Sequence, residues 1–147
     1  MAETPVNRKA IRQAIADALG APGVMPSALD IYPYMKAGFD GASPVVRVVN
    51  AGSNRPESTA RGHRSQFFFS VQFFVIYYEE GTPAAQAAAE DTLDDLEHEL
   101  ISWMDGNHNT ERWTTLKWAD RSRTQVVREG GHQYILEDVP IVVDVVG

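Results

Sequence analysis

The chain contains no cysteine, which excludes disulfides and thiolate chemistry and fits a cytosolic origin. It has no run of about 18 apolar residues, so no membrane-spanning helix is expected. The N-terminal MAETPVNRKAIRQ has no apolar core segment, so no secretory signal is expected. Positive charge is scarce: 13 Lys and Arg stand against 20 Asp and Glu, a net charge of −7. That balance argues against a surface built to wrap nucleic-acid phosphates. Missing too are the patterns GxSxG, Walker A, GxGxxG, HExxH and the EF-hand loop.

Histidine is also sparse, with four residues, His63, His98, His108 and His132. None lies three or four residues from another, so no histidine pair shares a helix turn. Asp94 and His98 do share a helix face, with Glu97 and Glu99 beside them, and could hold a divalent cation. A solvated acidic face is the plainer reading of the same residues. Carboxylate pairs used for acid–base chemistry need a partly dry, concave site to separate their pKa values, and a wet helix face supplies none. No catalytic, cofactor-binding or metal-ligating residue is assigned, and a non-enzymatic role is expected.

What the chain has is aromatic. Gln66 to Tyr78 reads QFFFSVQFFVIYY, and seven of the twelve residues from Phe67 to Tyr78 are aromatic, half of all those present. Aromatic and β-branched residues favour a pleated, packed surface, which predicts a strand. Both of its faces are apolar. At about 3.3 Å per residue it reaches roughly 43 Å, while a compact chain of this size has a radius of gyration near 15 Å. One face calls for a helix and the other for something further, such as another subunit. An aromatic strand can also stack nucleic-acid bases, but this one lacks the basic, glycine-containing entry of RNA-binding strands and precedes an acidic helix.

Two amphipathic helices flank the strands. Thr4 can cap the first, Pro5 suits its first turn and Gly20 stops it, with Ile11, Ala14, Ile15, Ala18 and Leu19 forming the apolar stripe. Thr82 and Pro83 open the second, which runs to about Met104 with Ala89, Leu93, Leu96, Leu100 and Trp103 on one stripe. Leu29 to Met35 reads as an extended piece that Pro33 confines to an edge, and Pro44 to Asn50 as a strand. Ala51 to Arg64 (AGSNRPESTARGHR) holds no large apolar residue and is expected to be a mobile loop at about 51–64. Trp113 to Ala119 alternates, Thr124 to Glu129 is a short strand, and Gln133 to Val146 pairs with it, split or pushed to an edge by Pro140.

Charge is segregated along the chain. Glu79 to Glu99 carries eight carboxylates and no Lys or Arg, whereas Arg47 to Arg64 carries four arginines and one carboxylate. Arg121, Arg123 and Arg128 form a further basic cluster. An acidic face and basic loops suit head-to-tail contact between copies. The expected subunit-contact residues are Arg55, Arg61 and Arg64 on the basic side and Glu90, Asp94 and Asp95 on the acidic side. Solvated surfaces are the alternative reading of the same charges.

The expected fold is a single α+β domain over residues 1–147, an antiparallel-rich mixed sheet with two packed helices in the order α-β-β-α-β-β. This order resembles the tail-terminator (tail-completion) proteins of long-tailed bacteriophages and the neck proteins of phage-like gene transfer particles. The resemblance is carried by RKAIRQAIADAL, FFFSVQFFVIYYEE, AAQAAAEDTLDDLEHELISWM and YILEDVPIVVDVV, and it is one of element order, size and texture. It implies a homo-hexameric ring in the virion that caps the tail tube and joins it to the neck. Its partners would be copies of itself, the tail tube protein and a neck or head-completion protein. DNA would pass through the lumen without sequence-specific binding, no membrane would be involved, and assembly would take place in the host cytoplasm. The alternatives are another virion component, such as a head–tail connector or tube subunit, or a small-ligand or metal-dependent enzyme using the acidic helix.

Overall fold

A computed structural model describes residues 7–59 and 62–146. Helix α1 spans Arg8–Leu19. Strands β1 (Asp30–Tyr32), β2 (Val45–Thr59) and β3 (Gly62–Ile76) follow, then helix α2 (Pro83–Gly106) and strands β4 (Thr115–Trp118), β5 (Arg123–Glu129) and β6 (His132–Val146). The six strands form one sheet in the order β1-β2-β3-β6-β4, with β5 also paired to β6. The β1–β2 pair is parallel and the remaining pairs are antiparallel. The α+β class and the antiparallel-rich mixed sheet therefore stand. The expected order α-β-β-α-β-β does not hold: the order is α-β-β-β-α-β-β-β. β1 and β4 are only three and four residues long, and they exist because a longer neighbour pairs with them.

The largest departure from expectation lies at 51–64. Residues 51–59 and 62–64 belong to β2 and β3 and pair across a long hairpin, from Val45↔Phe74 to Thr59↔Gly62. Backbone hydrogen bonds between two strands need no apolar side chain, so a polar segment can pair here. The register shifts between Asn50 and Gly52 and again between Asn54 and Glu57, which bends the arm.

Pro140 is the second departure. β6 is an unbroken inner strand, paired with β3 from Arg64↔Val146 to Ile76↔Tyr134. Its other edge is shared end to end by β4, opposite Ile141 to Asp144, and β5, opposite His132 to Asp138. Pro140 lies at the gap between them, and its carbonyl accepts from Ala119 N on that side. The missing N–H therefore faces a place where no strand needs a donor.

α1 starts one turn later than expected. Asn7 is its cap and accepts from Lys9 N and Ala10 N, while Thr4 and Pro5 lie outside the described residues. α2 begins as expected, with Thr82 accepting from Ala85 N ahead of Pro83. Both helices cover one face of the sheet. Ile11, Ile15 and Leu19 of α1 and Leu93, Leu96, Leu100 and Trp103 of α2 pack on Val46, Val48, Phe67, Phe69, Val71, Phe73, Ile141 and Val143. Among the described residues no helix is long and apolar enough to cross a membrane.

Among the described residues no helix covers the opposite face. At one end Phe39 closes over Val45, Phe74, Tyr134 and Leu136. The segment that carries Phe39 meets the β5–β6 turn closely. A Cβ on Gly130, which has a positive φ of 58°, would stand 3.0 Å from Gly38 Cα. Gly130→Ala is accordingly expected to destabilise the fold by about 1–2 kcal/mol, through backbone strain and this contact, as read by chemical denaturation.

Candidate functional site

The six expected contact residues fall at two poles. α2 runs antiparallel to β3. Its start follows the end of β3 by a short link, Glu97 reaches Glu137 opposite Phe73, and Trp103 stacks edge-on against Trp113 at the head of β4. Glu90, Asp94 and Asp95 are exposed on the first half of α2, at the end of the sheet away from the hairpin tip. Arg64 is exposed on the arm at the other end. Arg61 lies outside the described residues. Arg55 is anchored within the arm: its guanidinium sits 5.0 Å above the Phe67 ring and donates to Ser65 Oγ at 3.0 Å. Among the described residues the one ion pair within 4 Å is Arg47–Glu129, so it joins none of the residues at the two poles.

Two buried charges were not singled out from the sequence. Arg47 interrupts the apolar row Val45, Val49 on the helix-free face and is 7% exposed. Its Nε donates to Gln72 Oε1 at 2.6 Å, Nη1 donates to the Lys36 carbonyl at 2.7 Å, and Nη2 lies 3.7 Å from Glu129. Its guanidinium stacks over Phe74 at 4.6 Å, and burial pushes its pKa below the usual value. Glu137 interrupts the row Ile135, Val139, Ile141 on the helix-covered face and is 4% exposed. Burial, a hydrogen bond with Glu97 and the charges of Glu97 and Asp94 raise its pKa to about 7, against the opposing effect of the Ser122 hydroxyl that donates to it. Each charge breaks an alternating apolar pattern, and that break is the sequence signal that marks it.

The chemistry available elsewhere is limited. A pocket of about 210 Å³ on the helix-free face is lined by Ser70, Asp138, Pro140, Asp120, Arg121 and Arg123. Asp138 Oδ1 there is buried and has no hydrogen-bond partner among the described residues. No histidine joins Ser70 in that lining, so it presents no nucleophile with a base to activate it. His98 is exposed on α2, and no group of three or more His, Asp and Glu among the described residues could hold a metal ion.

No family model matches the chain, and no curated protein matches its sequence.

Proposed function

We propose that the chain is a structural virion subunit that joins copies of itself head to tail in a ring, terminates a phage tail tube and connects it to the neck. The observation that carries this reading is the separation of its charged surfaces. An acidic helix face and an extended arm bearing Arg64 lie at opposite ends of one sheet, too far apart to satisfy each other within a subunit. Contact between unlike surfaces of identical chains closes into a ring when the rotation closes. The resemblance in size and texture supplies the tail end as the place and six as the number of copies. An excess of acid suits a lumen through which DNA slides without binding. A connector or tube subunit would use the same surfaces, and position in the particle separates these readings.

An exposed charge pair contributes only about 0–1 kcal/mol, but a ring repeats it at every interface. Arg64→Glu is expected to leave the melting temperature of the monomer unchanged and to impair ring formation. Mixed with Asp95→Arg, it can alternate with that variant around the ring, so that every interface again pairs unlike charges and assembly is restored. Light scattering of the separate and mixed variants checks this, and unimpaired assembly by Arg64→Glu counts against the reading.

A further inference from the structure

Apolar side chains stand exposed where the sheet begins. Leu29, Tyr34 and Met35 flank β1 and are 61%, 51% and 64% exposed, three of the six large apolar side chains so exposed among the described residues. Single exposed apolar residues are ordinary, but here three of them flank one three-residue edge strand. They are held outward by built structure. Leu29 N donates to the Pro44 carbonyl, Arg12 holds the Pro33 carbonyl, and the Tyr34 ring packs edge-on against Tyr32.

An apolar groove lies at the opposite edge of the sheet. It occupies about 390 Å³ between the end of α2 and β4, with Met104 and Leu116 at its floor and Ile101 and Trp118 as walls. The order β1-β2-β3-β6-β4 puts knob and groove on opposite edges, so one molecule cannot fill its own groove. The charges around them are complementary in both directions. Asp30 and Lys36 border the knob, and Lys117 and Asp105 line the groove.

We infer that the Leu29, Tyr34 and Met35 knob of one copy seats in the groove between α2 and β4 of the next, with Lys36 facing Asp105 and Asp30 facing Lys117. This rests on the head-to-tail reading above and adds a second pair of joining surfaces to it. Burying apolar side chains drives the contact, and the charges set its register.

The absence of cysteine makes the test direct. Met35→Cys and Ile101→Cys are made separately, and both positions are at least partly exposed. Under mild oxidation, each variant alone is expected to stay monomeric on a denaturing gel. Their mixture should yield a covalent dimer as the main product, and a chain carrying both changes should yield a ladder. Lys117→Cys replaces Ile101→Cys should the latter fail to fold. A mixture that does not cross-link overturns the inference, as does Met35→Cys dimerising by itself, which would mean a two-fold contact. The parallel mixture of Arg64→Cys with Asp95→Cys separates the two proposals. Cross-linking there alone leaves the ring reading standing without the knob, and an endless ladder from the knob pair keeps the knob and removes the closed ring.

Discussion

Arg47→Ala is expected to lower the unfolding free energy by about 3 kcal/mol, which for a chain of this size is a fall of roughly 6–12 °C in melting temperature. The side chain is the tie between the sheet and the segment that covers its helix-free face. It engages Gln72 from β3, the Lys36 carbonyl from that segment and Glu129 from β5, and it lies on the rings of Phe74 and Phe39. Truncation leaves a partly buried amide oxygen, a carbonyl and a carboxylate without their donor, and a fully buried loss of this kind costs about 1–3 kcal/mol before relaxation. Arg47→Lys should recover less than half of the loss, because one ammonium cannot reproduce a planar fork that reaches three partners. Amide exchange should accelerate first in residues 36–41. A melting temperature within about 1 °C of the wild type would mean that the segment is held by Phe39 alone.

Glu137→Gln is expected to stabilise the protein at pH 8 and change little at pH 5. Ionised carboxylates only accept hydrogen bonds, so the contact of Glu137 with Glu97 requires a shared proton. The folded chain keeps that proton up to about pH 7, whereas the unfolded chain loses it near 4.5. Below 4.5 both states are protonated and the contribution is fully present. Between 4.5 and about 7 the unfolded state ionises first, and stability falls as pH rises. The interval corresponds to about 3 kcal/mol, all of it lost above the folded value. Glutamine cannot ionise, yet it can still donate to Glu97 and accept from Ser122. The difference between variant and wild type, followed by urea denaturation from pH 5 to pH 8, should therefore grow with pH. Parallel curves would show that Glu137 is ionised in the folded protein throughout.

Periodicity made the helices and the inner strands legible. The stripe from Ala89 to Met104 packs as its spacing predicts, and Phe67 to Val75 form the centre of the sheet. The hairpin arm was not legible. Its residues carry loop composition, and only pairing with a distant segment makes them strands. Pro140 misled because the rule for proline in sheets concerns the hydrogen-bonding edge at one residue, and the gap between β4 and β5 depends on where two other strands end. The helix cap was misplaced because Asn7 and Thr4 both suit the role by residue type. Charge segregation was visible in composition, whereas the anchoring of Arg55 on Phe67 and the outward turn of Tyr34 and Met35 depend on tertiary packing.

The central claim is a head-to-tail contact that closes on itself. Native mass measurement of the wild-type protein over a range of concentrations tests it most directly. The account predicts the 16.3 kDa monomer and one closed assembly of six copies, with little in between, since ring closure favours the complete species. A monomer at every concentration, or a dimer as the largest species, would contradict it.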